Sequence, residues 1–350
     1  MPLESGFGKL FFASLLLFAT ASARQSAPPA QPASTRVYLD VVVAPESGPP
    51  VADLQAQDFT LLDNKAPQTI TSFKAVSGRQ AAVGVIIVID VVNASYQTVS
   101  QERAEIDKYL RAENGQLAFP VAVVALKDKG IDILGNFSTD GKALSAALDQ
   151  AGSTLRPVGS ASNYDAGGRW HISLDGLRHL IAGVAGHRGR TAILWISPGW
   201  PIFNNARTTL SQKEQQEIFS SVVNFSNDML QNRVTLYNID PLGAVESPLR
   251  SSYFESFLKV VPDADHVKAA NLALPVLAIH SGGLALTSTN DVSLVLRQCV
   301  VDAAPFYEIS YDPTPAAHLD EYHRVEIQIA KPDMVARTHQ IYYAQPPAHN

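Results

Sequence analysis

Few residues in this chain are placed to do chemistry, and one carboxylate stands where a site would form. Asp90 closes the run Val83-Gly84-Val85-Ile86-Ile87-Val88-Ile89. A continuous apolar run rich in β-branched residues reads as a strand buried on both faces, as in the middle of a parallel sheet. A side chain at its carboxyl end lies on the edge where open α/β sheets bind ligands. Ser197-Pro198-Gly199-Trp200 follows a second such run, Thr191-Ala192-Ile193-Leu194-Trp195-Ile196, so Ser197 and Trp200 fall on the same edge. A serine there invites a hydrolase reading, yet the Gly-x-Ser-x-Gly elbow that exposes a nucleophile is not matched. No His-Glu-x-x-His occurs, and no Gly-x-Gly-x-x-Gly or P-loop follows a strand. His171, His179 and His187 recur at a spacing of eight, too wide for one ion and suited to a solvated helix face. Arg169-Trp170 and Trp200-Pro201-Ile202-Phe203 put aromatics near this edge, where exposure would suit a protein interface and burial would make them core.

The elements that must position these residues alternate. Helical spacing is expected near 97–113, with strands at 121–126 and 191–196 and a short edge strand from Gly130 to Phe137. Helices are expected over 140–151, N-capped by Asp140, and over 170–186 and 208–231. A strand at 234–239 follows, then a helix over 264–280 bent at Pro275, a short strand at 284–286 and a helix over 291–302. This alternation predicts an α/β fold with a doubly wound, mostly parallel sheet over residues 82–302. Period-two segments lie on both sides of it, at 36–76 and 304–344. Neither has enough strands to be stable alone, so the two are expected to pair into one small sandwich.

Composition narrows the function. Hydrophobic residues make up 46% of the 350-residue chain, enough for a real core, and the net charge of -6 with no basic stripe argues against nucleic acid. Cys299 is the single cysteine, which excludes an intrachain disulfide and makes a buried small hydrophobe of it. At the N-terminus, Lys9 precedes the apolar run Leu10–Ala19 and the cleavage pattern Ala21-Ser22-Ala23. Residues 1–23 are read as a secretory signal and 24–35, rich in Pro, Ala and Ser, as a disordered linker. The mature protein is expected to be secreted or periplasmic, with no stable membrane insertion after signal cleavage.

Three stretches resemble the bacterial VWFA-related domain family of the acidobacterial type. They are Val51-Ala52-Asp53-Leu54 through Asp58-Phe59-Thr60-Leu61-Leu62-Asp63-Asn64-Lys65 to Ile70, then Ile87-Val88-Ile89-Asp90, and finally Ser281-Gly282-Gly283 through Tyr307-Glu308-Ile309-Ser310-Tyr311-Asp312-Pro313 to Tyr342-Tyr343-Ala344. The resemblance spans about residues 36–344 and implies a von Willebrand factor A-like fold flanked by β segments, export and a binding role. Such domains hold Mg²⁺ or Mn²⁺ through Asp-x-Ser-x-Ser after the first strand, a Thr from a second loop and an Asp from a third. A hard cation of this kind needs oxygens in near-octahedral array. Here Asp90 takes the first position, but Val92 and Ala94 stand in place of the serines and Pro198 in place of the third-loop acid. Asn93, Ser95, Ser160, Ser162 and Asp165 are the oxygens from which an irregular site would be rebuilt. The expectation is a degenerate metal site at Asp90 without a cofactor, the carboxylate instead capping the next helix or bonding loop amides.

The sequence thus points to an exported, non-enzymatic module. It would bind an unidentified protein or cell-envelope ligand through an edge formed by Asp90, Asn93, Ser95, Ser160, Ser162, Asp165, Ser197 and Trp200. The alternative is a secreted serine hydrolase on the same kind of sheet, using Ser197 or a second-loop serine. Export has a direct check. N-terminal sequencing of protein recovered from periplasm or medium should begin at Arg24, and a cytoplasmic chain starting at Met1 would overturn it.

Overall fold

The computed structural model describes residues 36–78, 81–155, 165–187, 189–201, 210–242, 253–287 and 291–346. The segments read as signal and linker, 1–35, lie outside the described residues. In chain order, strands β1 (Val37–Pro45), β2 (Phe59–Asp63), β3 (Ala66–Gln68) and β4 (Ile70–Val76) come first. The α/β part follows as β5 (Val83–Asp90), α1 (Tyr96–Arg111), β6 (Gln116–Lys127), β7 (Gly130–Asp140), α2 (Gly141–Ala151) and α3 (Ala166–Gly183). It continues as β8 (Arg190–Ile196), α4 (Gln212–Gln231), β9 (Val234–Asp240), α5 (Leu274–His280), β10 (Ala285–Thr287) and α6 (Val292–Asp302). Strands β11 (Phe306–Tyr311), β12 (Glu321–Ile329), β13 (Met334–Arg337) and β14 (Ile341–Ala344) close the chain. No helix among the described residues is long and apolar enough to cross a membrane.

The central sheet runs β10-β9-β8-β5-β6-β7. All its pairings are parallel except β6 with β7. Strand order reverses beside β5, which makes its carboxyl end the switch point of a doubly wound sheet. Strand β5 is apolar on both faces because both are covered. Ile86 and Val88 pack with Leu177 and Ile181 of α3, Val222 of α4 and Val276 of α5. Val85, Ile87 and Ile89 pack with Ile106 of α1, Leu148 of α2 and Leu296 of α6. Cys299 lies in that second core, fully buried, where desolvation raises its thiol pKa. This is the doubly wound, mostly parallel arrangement expected from the alternation.

The flanking β segments pair with each other. Strand β11 lies between β1 and β4, and β2 lies between β12 and β3. The two four-stranded sheets, β13-β1-β11-β4 and β14-β12-β2-β3, share one apolar core that includes Leu39, Val41, Phe59, Leu61, Ile309 and Val325. In that core Asp63 accepts hydrogen bonds from the hydroxyls of Tyr311 and Tyr342, both at 3.1 Å, and His323 Nδ1 sits 2.8 Å away. These partners offset the cost of burying an ionised carboxylate.

Three elements differ from expectation. The helix expected over 264–280 is two 3₁₀ turns, Ala264–His266 and Ala269–Leu272, followed by α5. Pro275 lies in the first turn of α5, where its missing N–H has no helical partner to lose, so it starts the helix instead of bending it. Strand β7 is a full antiparallel partner of β6 and reaches Asp140. Strand β13, too short to show alternation, pairs with β1.

A polar seam joins sandwich to α/β layers. Arg233 reaches Asp40 Oδ1 at 2.5 Å and Glu308 Oε1 at 2.6 Å. Asp302 pairs with Arg337 and accepts the Tyr237 hydroxyl at 2.7 Å. Asn227 exchanges two hydrogen bonds with the Tyr343 backbone, each at 2.9 Å. His280 Nδ1 and His339 Nε2 are buried here without partners among the described residues. Burial, aided by the Arg324 charge, holds His280 down at about 4. Burial, aided by Arg190, holds His339 at about 3. Unfolding between those values and the free-histidine pKa of about 6.5 takes up protons. Stability is therefore complete above pH ~6.5 and falls as pH drops, by roughly 3 kcal/mol for each histidine by pH 4. Urea midpoints between pH 7 and pH 4 should show this loss, and the double variant His280→Gln/His339→Gln should flatten the profile. An unchanged slope in that variant would show that the histidines do not carry it.

Candidate functional site at the carboxyl edge of the sheet

Asp90 is fully buried at the end of β5. Its Oδ1 accepts the backbone N–H groups of Val92 (3.1 Å) and Asn93 (3.0 Å). The Asn93 amide nitrogen bridges both carboxylate oxygens at 3.1 and 2.9 Å, and the Trp195 indole N–H donates to Oδ2 at 3.2 Å. Burial raises the Asp90 pKa, and the hydrogen bonds from Asn93, Trp195 and Ser197 act against that rise. The same Asn93 nitrogen donates to Ser173 Oγ at 2.9 Å, which ties the β5 loop to α3, and Ser173 in turn donates to the Arg169 carbonyl. Val92 and Ala94 are buried, and each packs into a different one of the two cores beside the sheet.

The other predicted edge residues separate by role. Ser95 is the N-cap of α1 and accepts the Thr98 N–H at 3.1 Å. Asp165 is the N-cap of α3 and accepts the Gly168 N–H at 2.8 Å. Both oxygens satisfy helix donors that would otherwise lack partners. Ser197 is fully buried, continues the ladder through its N–H to the Ile239 carbonyl, and accepts the Gly199 N–H at 3.1 Å. Trp200 requires a correction. It is only 2% exposed and packs edge-to-face on Trp195 at 5.4 Å, so it is core and not a docking aromatic. Its apolar area is worth more buried than exposed. Ser160, Ser162, Ile202 and Phe203 lie outside the described residues. Asp90, Ser197 and Trp200 are thus all buried beneath the edge. Among the described residues beside this edge, Tyr96, the first residue of α1, faces solvent at 70% exposure.

Glu102 is a residue that the sequence reading misses. It is fully buried on α1, and neither carboxylate oxygen has a partner among the described residues. Burial first, then the charges of Asp90 and Asp240, raise its pKa well above the ordinary value. A signal is present in the sequence: Val99, Glu102, Ile106 and Tyr109 share one helical stripe, so a carboxyl occupies a core position.

No family model and no curated protein matches this sequence. Similar solved structures include the manganese-loaded TRAP protein of Plasmodium vivax, at 10% identity over 80% of this chain and 100% of that one, with a TM-score of 0.34. The SpRpn10 VWA domain is 11% identical over 64% of this chain and 98% of that one, with a TM-score of 0.31. The PilB minor pilin of Streptococcus sanguinis is 12% identical over 63% of this chain and 60% of that one, with a TM-score of 0.37. The match to human Sec24c spans 44% of that longer chain. At these overlaps the fold assignment rests on the strand order and register above.

A carboxyl whose folded pKa is raised stabilises less as pH rises through the interval between its unfolded and folded values. Replacing it with an apolar residue of similar length removes that penalty. Glu102→Met is therefore expected to be about 1–3 kcal/mol more stable than wild type at pH 8, with a smaller gain at pH 5. Equal or lower stability at pH 8, by urea unfolding, would mean the carboxyl is satisfied in solution.

Proposed function

We propose that the chain is an exported VWFA-related module of the acidobacterial type that binds a protein or cell-envelope macromolecule at the loop edge of its sheet, with neither catalysis nor a metal ion. One observation carries the reading: both oxygens of Asp90 accept hydrogen bonds from N–H donors of the protein itself. The Asn93 amide nitrogen bridges those oxygens, and a donor so placed repels a cation. The residues present do not fit a hard dication. Val92 and Ala94 bring no oxygen, Pro198 stands for the third-loop acid, and Ser95 and Asp165 cap helices. The edge is then held in one shape by internal hydrogen bonds, with Tyr96 exposed beside it to meet a partner.

Two measurements test this together. Melting curves in EDTA and in millimolar Mg²⁺ or Mn²⁺ should coincide, whereas a bound ion at 100 times its dissociation constant would add about 2.7 kcal/mol. A metal-dependent rise that disappears in Asp90→Ala would overturn the metal-free reading. A serine-reactive phosphonate should leave the protein unlabelled, since Ser197 is buried and hydrogen-bonded. Stoichiometric labelling would instead make the protein a hydrolase.

A further inference from the structure

A second site lies on the sandwich, away from the carboxyl edge of the central sheet. A cavity of about 120 Å³ opens between β12 and the segment that follows β13, with Arg324, Glu326, Arg337, Thr338 and Gln340 as its polar lining. Arg324 is fixed by its backbone. Its N–H donates to Asn64 Oδ1 at 3.0 Å, and its carbonyl accepts the Asn64 N–H at 2.9 Å. Its guanidinium, by contrast, has no ion-pair or hydrogen-bond partner among the described residues. Thr338 is 5% exposed, and its hydroxyl is buried with no partner among the described residues. Gly282 allows the close approach of this segment, because a Cβ there would come within 2.6 Å of the Thr338 backbone.

The acids nearby have other partners, although Glu326 keeps its negative charge. Glu326 accepts the Gln328 amide at 2.9 Å. Asp302 is taken by Arg337 and by the Tyr237 hydroxyl. His280 beside the cavity is neutral at pH 7. What remains is one guanidinium without an ion-pair partner among the described residues, on a residue that lines this small polar space, and one orphaned hydroxyl buried in its wall. A guanidinium offers paired N–H donors matched to two oxygens of one anion, and a hydroxyl can donate a further hydrogen bond. We propose that this cavity binds a small oxyanion, a carboxylate or a phosphoryl group, through the Arg324 guanidinium and the Thr338 hydroxyl.

Titration of the mature protein with sodium phosphate and with sodium acetate, each against sodium chloride at equal ionic strength, tests this by calorimetry and by thermal shift. Binding of either oxyanion beyond the chloride control is expected. A phosphate response identifies a phosphoryl ligand, an acetate response identifies a carboxylate, and a response to both identifies a general oxyanion site. Arg324→Ala removes an exposed side chain and should weaken binding by about tenfold. Thr338→Val preserves shape and should weaken binding several-fold while keeping or raising the anion-free melting temperature. No response beyond chloride at tens of millimolar, or an undiminished response in Arg324→Ala, would overturn the site.

Discussion

Strand β11, held between β1 and β4, ties together segments that the α/β part separates by most of the chain. Val37 pairs with Tyr311, and Phe306 pairs with Val76. The entropic cost of closing such a loop grows only logarithmically with its length, so a whole domain can be inserted between paired strands. The inserted domain also brings its own ends together. Residues 77–82 lead from β4 into β5, and 303–305 lead from α6 into β11. Tyr307 of β11 then clamps the irregular segment before β2, accepting the Leu54 N–H at 3.1 Å and donating to the Val51 carbonyl at 3.0 Å. Without β11, the strands on either side would be short and would expose open edges.

The carboxyl edge obeys a different constraint, the charge of a carboxylate at the end of a fully buried strand. A dication is one way to compensate such a charge, and hydrogen-bond donors are another. This chain supplies two backbone N–H groups, an asparagine amide and an indole. These donors compensate the carboxylate from within the protein. The arrangement also leaves little room for further negative charge, which is why Glu102 stands out. A third carboxyl near Asp90 and Asp240, with no donor at either oxygen among the described residues, favours its neutral form.

How much of this is legible in the sequence depends on whether a residue's role is set by local pattern or by distant contacts. The β5 run, the helix cap at Asp140 and the alternation of β12 are periodic or local, and the pattern shows them. Asp165 reads from sequence as a ligand-edge oxygen, because a cap and a ligand share the same side chain and only the following N–H decides between them. Trp200 is ambiguous for a related reason: its burial depends on Trp195 of β8, and sequence proximity does not say which ring covers which. Asn93 stands out in the sequence for its oxygen, yet its nitrogen does the bridging, while its Oδ1 is buried without a partner among the described residues. The Arg324 cavity is lined by residues from β12, β13 and the segment after β13, and no spacing in the sequence announces it.

The seam between sandwich and sheet explains why the two parts hold one relative orientation. Apolar surfaces alone tolerate sliding, because burial is non-directional. Here Arg233 must meet Asp40 and Glu308 at once, Asp302 must meet Arg337 and Tyr237, and Asn227 must read the Tyr343 backbone through two bonds. A displacement that breaks one of these leaves a half-buried charge or amide unpaired, and the penalty for an orphaned group exceeds the net worth of the bond. The seam is therefore better understood as a register device than as a source of net stability. It fixes the sandwich against the sheet, and with it the cavity beneath Arg324, whose wall includes Arg337, itself a member of the seam.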